Sequence, residues 1–139
     1  MAMRIDRDLT AASVVPLLLL LLDEEESYGY QIIQRIRASS QQQWAWSEGM
    51  LYPVLHRLEK RELIESHWKL AETGRQRKYY RLTKRGAAEL HRQKQQWEIV
   101  QQTLGNLGMA KSKEERRDGH RERHSELEDG SNGKKPPDL

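Results

Sequence analysis

The sequence predicts a mainly α-helical fold with one small β-hairpin, ending in a long C-terminal helix. Three observations support it. Helical apolar patterns fill the chain up to about residue 60. Between Ile64 and Leu82 the period changes from 3.6 to two. A helical seam then runs from Thr83 to about Leu107.

The first helix is expected from about Leu9 to about Glu24. Val14 to Leu22 is apolar throughout apart from Pro16, which predicts a fully buried helix. The run is too short for a bilayer, which needs about 20 residues. Asp23 to Glu26 follows with no small-residue cleavage site, so a signal peptide is not expected and a cytoplasmic protein is. A break comes at Ser27-Tyr28-Gly29. From Tyr30, Ile32, Ile33 and Ile36 oppose Arg35 and Arg37 in a short amphipathic helix, which fades into Ser39-Ser40 and a glutamine loop. Trp44 and Trp46 follow; they either wall a small pocket, touch DNA backbone, or pack on the hairpin as a hydrophobic lead-in.

Ser47 is the expected N-cap of the third helix, with Glu48 well placed for the helix dipole. Leu51, Leu55 and Leu58 form its inner stripe, Pro53 bends its first turns, and Arg57, Lys60 and Arg61 decorate its outer face. In the hairpin, Ile64, Trp68 and Leu70 alternate with Glu65, His67 and Lys69. After the turn at Ala71 to Gly74, Tyr80 and Leu82 alternate with Tyr79 and Arg81. This predicts two strands with one packed and one charged face, leaning on the preceding helices. Thr83 caps the last helix, whose apolar positions are Ala87, Leu90, Trp97, Val100, Leu104 and Leu107. The expected organisation is residues 1–83 as one domain of helices and hairpin, 84–108 as a long helix with a heptad-like seam and 109–139 as a disordered charged tail.

Composition narrows the function. The chain has no cysteine, which excludes disulfides and thiolate metal sites. Its net charge is only +3, and residues 111–139 hold eight basic and eight acidic residues, so the excess lies in the first 110. Glu72 to Gly86 alone carries Arg75, Arg77, Lys78, Arg81, Lys84 and Arg85 against one acid. Such a cluster fits phosphate, although a solvated hairpin looks the same. Catalysis finds little support: His56, His67 and His91 lie on charged faces, and no glycine loop cradles a phosphate. No cofactor and no metal are expected. His120 and His124 are four apart, but no third ligand accompanies them.

Helix, helix, loop, helix, hairpin, helix is the order of a winged helix-turn-helix, whose third helix enters the major groove. On that reading Ser47, Glu48, Gly49, Met50 and Tyr52 face DNA, with His56 and Arg57 a turn further on. The wing tip, Thr73, Gly74, Arg75, Gln76, Arg77 and Lys78, meets the backbone or minor groove. A winged-helix adaptor that binds protein instead of DNA is the alternative, and the basic wing speaks against it.

Three runs, GYQIIQRIRASS, SEGMLYPVLHRLEKRELIES and ETGRQRKYYRLTKRG, strongly resemble the PadR family of bacterial transcriptional regulators. The resemblance covers about Leu9 to Leu107 and is most specific in LYPVLHRLE and GRQRKYYRLT. It implies a homodimer joined through the C-terminal helix, packed with the partner's first helix, in the family's short C-terminal branch. Leu90, Trp97, Val100, Leu104 and Leu107 are the expected interface residues. The resemblance also implies a repressor bound to double-stranded operator DNA. Some relatives stack planar aromatic ligands on an interface tryptophan, which makes Trp97 a candidate effector contact as well as a candidate interface core residue.

Overall fold

The computed structural model describes residues 4–109. The expected tail beyond residue 109, with His120 and His124, lies outside the described residues. The elements are α1 (Arg7–Glu24), β1 (Ser27–Tyr28), α2 (Gly29–Ser39), α3 (Glu48–Lys60), β2 (Ile64–Leu70), β3 (Gln76–Leu82) and α4 (Lys84–Asn106). The chain divides into two compact units, Met1–Gln95 and Gln96–Leu139, so α4 contributes residues 84–95 to the first.

Helix α1 begins at Arg7, ahead of the expected Leu9, because the Asp6 carboxylate accepts a hydrogen bond from the Leu9 amide at 2.9 Å. It is not buried all round. Val14, Leu18, Leu19, Leu21 and Leu22 enter the core, whereas Leu9 and Leu20 are exposed. A helix lying on one side of a small core has only one face to cover, whatever its composition.

The core gathers that face with Ile32, Ile33 and Ile36 of α2, Leu51, Val54, Leu55 and Leu58 of α3, and Leu63, Ile64, Tyr80 and Leu90. Trp46 joins it, with Trp44 edge-on at 6.2 Å and only half buried. At about 25 cal/mol per Å² of apolar area, such burial dominates the favourable side of folding.

The sheet has three strands in the order β1-β3-β2, one more than the expected hairpin. The segment read as a break supplies the third: Ser27 pairs with Tyr80 and Tyr28 with Tyr79, antiparallel. Ser27 is fully buried, and its hydroxyl accepts from Arg35 at 2.7 Å. A two-residue strand has no period to detect in sequence; only β3's free edge makes it one. The hairpin register runs from Ile64↔Leu82 to Leu70↔Gln76. Its packed face fades outward: Ile64 and Tyr80 are buried, while Trp68 and Leu70 are 64% and 65% exposed. The helices cover only the base of the wing.

Leu63 is the joint between α3, the wing and α4. Its carbonyl accepts from the Thr83 amide at 3.1 Å and the Thr83 hydroxyl at 3.0 Å. That hydroxyl also accepts from Gly86 N–H at 2.9 Å, capping α4 as expected. A Cβ on Gly86 would lie 2.0 Å from the Leu63 carbonyl oxygen, so only glycine lets α4 start this close to the wing. Leu90 is buried in this core, which removes it from the expected dimer interface. Its burial follows from its place one turn beyond Gly86, in the part of α4 that belongs to the first unit.

Within the second unit, Trp97 is half buried, whereas Val100, Leu104 and Leu107 are exposed. Helix α4 stops where Gly108 adopts a φ of 106°, with Met109 N–H donating to Leu104 O at 2.8 Å. Among the described residues no helix is long and apolar enough to cross a membrane.

Candidate nucleic-acid interface

Helix α3 starts at Ser47, whose hydroxyl accepts from the Met50 amide at 3.1 Å. The cap uses this oxygen, so the helix start presents Glu48 and Gly49 as its outward residues, both exposed. Met50 departs from expectation: it is half buried and packs against the core. An unbranched apolar side chain gains more against Trp44 and the core than in water. Tyr52, His56 and Arg57 are exposed on the outer face as expected. Pro53 offers no N–H to the Gly49 carbonyl, its partner in an unbroken helix.

Tyr52 lies over the first residue of α2. A Cβ on Gly29 would stand 2.2 Å from the phenol oxygen and 2.7 Å from Cζ, so the glycine makes room for the ring. Burial, and then the Glu48 carboxylate, push the Tyr52 phenol above its ordinary pKa. At neutral pH it is a hydrogen-bond donor, the form a phosphate oxygen requires.

The wing turns through Thr73 and Gly74, both exposed, with Gly74 at a φ of 88°. Ala71 N–H donates to Arg75 O at 2.7 Å and closes the loop. Behind it, Arg75, Gln76, Arg77 and Lys78 border a cleft of about 510 Å³ shared with Tyr52. Its other walls are Tyr28, Gly29, Tyr30, Trp68 and Tyr80. Burial is the main cause that pushes the Tyr80 phenol up to about 12, so it too stays neutral. The structure thus brings Tyr52 and four of the six expected wing residues together. His56, Arg57, Thr73 and Gly74 do not line this cleft, nor do Ser47, Glu48, Gly49 and Met50.

Tyr28, Tyr30 and Trp68 are the residues that sequence reasoning missed. Tyr28 sits in the expected break, and Tyr30 at the start of the expected helix after it. Trp68 was assigned to a packed face because its spacing from Ile64 fits one. Its distance from the hairpin base was the available clue, since a strand that outruns the helices beneath it must expose its last apolar positions.

The opposite sheet face is held by ion pairs. Glu26, in the link after α1, binds Lys69 and lies 3.2 Å from His67 Nε2. The hydrogen bond from Lys69 holds the Glu26 carboxyl below its usual range, against a smaller opposing effect of burial. His67 stacks on Tyr79, and Tyr79 meets Tyr28 edge-on at 5.3 Å. The acidic link therefore fastens the wing to the body.

Comparison with known proteins agrees with this architecture. Residues 18–92, more than half of the chain, match the transcriptional regulator PadR-like family. An uncharacterised protein of Lysinibacillus sphaericus is 34% identical over 97 residues, which cover 70% of this chain and 89% of that protein. Among solved structures, a PadR-like transcriptional regulator from Bacillus cereus is 31% identical, with a TM-score of 0.68 over 76% of this chain and all of that one. A transcriptional regulator from Clostridium thermocellum is also 31% identical, with a TM-score of 0.65 over 73% of this chain and 99% of that one. Membership rests on the recognition helix, the wing and the start of α4 together, all inside the matched span. The chain belongs to the PadR-like family of transcriptional regulators, a DNA-binding winged helix-turn-helix family and not a family of enzymes.

Proposed function

We propose that the protein is a repressor that acts as a homodimer on a pseudo-palindromic operator in the cytoplasm. The observation that carries this reading is the shared cleft: Tyr52 of α3 and Arg75, Arg77 and Lys78 of the wing border one basic hollow. Helix α3 reads bases through its exposed first turns, with Glu48, Gly49, His56 and Arg57 at the groove, while the wing grips the backbone. Two such heads, about 34 Å apart on one face of the duplex, require a dimer. The exposed Val100, Leu104 and Leu107 supply the apolar contact, with Trp97 beside them. A planar aromatic effector stacked on Trp97 would change the angle between the heads and release the operator.

Band shifts on duplex DNA from upstream of the protein's own gene, at several salt concentrations, test the reading. Tyr52→Ala and Arg77→Ala are each expected to weaken binding by about tenfold, near the ordinary value of a charge-assisted hydrogen bond. Both should leave the oligomeric state unchanged in light scattering. Binding indifferent to sequence, or none, would favour the adaptor. Quenching of tryptophan fluorescence by planar aromatics, lost in Trp97→Phe, would support the effector site.

A further inference from the structure

The cations of this protein are not treated alike. Arg35, Lys69, Arg81, Arg85 and Arg92 each sit on a glutamate carboxylate. The three that border the cleft make no ion pair among the described residues. Arg77 lies over the Tyr28 ring at 4.3 Å, and the Lys78 ammonium lies 5.6 Å from the Tyr80 ring centre. Among the described residues no acidic side chain lines the hollow. A ring face holds a cation in place with about 0.5–2 kcal/mol yet leaves its charge uncompensated. The cleft is therefore set for an external anion.

Its most exposed aromatic wall is Trp68, at 64% exposure. Trp68 stands opposite Lys78 in the ladder and shares its sheet face with Ile64 and Tyr80. Strand alternation therefore turns the indole and Lys78 to the cleft side and sends His67, Lys69 and Arg77, the ladder partner of Lys69, toward the clamped side. Among the described residues most of this ring stays uncovered.

We propose that Trp68 is a DNA-contacting residue, its indole packed on a deoxyribose of the strand whose phosphates meet Arg75 and Lys78. This rests on the DNA-binding reading above and adds an uncharged contact to it. A hollow of about 510 Å³ holds a sugar–phosphate unit but not a duplex, so the occupant is one strand's backbone at the edge of the groove. Because every nucleotide presents the same sugar, the contact adds affinity without choosing bases.

The test uses the full chain and a duplex of about three helical turns, recovered by selection from random sequence, titrated over a range of KCl concentrations. Trp68→Ala should weaken binding by roughly 5- to 50-fold, within the range of about 5- to 150-fold for loss of an aromatic platform that stacks on a base. The slope of log K against log salt should stay unchanged, whereas Lys78→Ala should lower it by about one. Trp68→Phe should keep most of the affinity. An unchanged affinity in Trp68→Ala, with Lys78→Ala still impaired, would overturn the Trp68 contact and leave DNA binding intact. A lowered salt slope in Trp68→Ala would also overturn it, by showing that the indole merely positions the wing cations. A wild-type chain that binds no selected duplex would instead sink the reading beneath it. Should Trp68→Ala fold poorly, fluorine NMR of the 5-fluorotryptophan protein decides: the resonance missing from Trp68→Phe must shift when duplex is added, and a fixed resonance overturns the contact.

Discussion

At the scale of single residues, some charges of this protein are committed to the fold through ion pairs. Glu89 is one of them. Its carboxylate accepts from Arg92 Nε at 3.0 Å, Arg92 Nη2 at 2.7 Å and Gln93 Nε2 at 2.7 Å. Those bonds, Arg92's first and Gln93's second, hold its pKa at about 2 against the ordinary 4.5. A carboxyl whose pKa falls on folding stabilises the native state above its unfolded value. That contribution is lost as pH drops from about 4.5 towards 2. Glu26, lowered chiefly by its hydrogen bond from Lys69, acts in the same direction. Thermal melts between pH 5 and pH 2 should show Tm falling by several degrees in the wild type, since about 1 kcal/mol corresponds to roughly 4–8 °C here. Glu89→Gln should flatten part of that fall, and an unaltered slope would mean that the pair is open in solution.

At the scale of elements, the ends of the helices decide where the interface stands. Helix α3 closes through a six-residue turn in which Leu63 N–H donates to Leu58 O at 3.0 Å and Glu62 N–H to Glu59 O at 2.9 Å. That turn puts Glu62 at a φ of 62°, a left-handed position where a Cβ costs about 1–2 kcal/mol. Its ion pair with Arg85 is exposed on both sides and offsets only part of that cost. Glu62→Gly is therefore expected to raise stability by about 0.5 kcal/mol, seen as a Tm higher by about 2–4 °C. A lower Tm would show that glycine's entropy in the unfolded chain outweighs the relief. The same turn delivers Leu63 to Thr83 and Gly86, so α3, the wing and α4 share one fixed point. Glu59 adds to it by accepting from the Ser66 hydroxyl at 2.6 Å.

At the scale of the whole molecule, the two compact units meet after Gln95, within α4, and differ in the side chains they expose. The first holds the core and the cleft. The second exposes Val100, Leu104 and Leu107, at 45%, 37% and 83%. Apolar side chains recurring every three or four residues on an exposed helix stretch suit a partner helix. Leu104→Glu should shift the protein to a monomer in sedimentation and weaken operator binding through loss of the second head, while the melting of the first unit stays unchanged. A variant that remains dimeric would move the contact elsewhere.

Much of this was legible in the sequence. The Leu51, Leu55, Leu58 stripe, the Ser47 and Thr83 caps and the period change at Ile64 depend on neighbours within a few residues, and such patterns survive without tertiary structure. The basic residues of the wing were equally plain, because charge needs no fold to be counted. Tertiary structure alone decided three things. It made a strand of Ser27 and Tyr28, which have no period until β3 offers an edge. It buried Leu90 and half-buried Met50 while exposing Leu20 and Trp68, because burial depends on which surface lies opposite and not on composition. It also left Arg75, Arg77 and Lys78 without a carboxylate partner among the described residues, around the cleft that Trp68 and Tyr52 line, since pairing is a matter of distances across the fold. Local pattern therefore named the elements and the family, and long-range packing chose which side chains line the cleft.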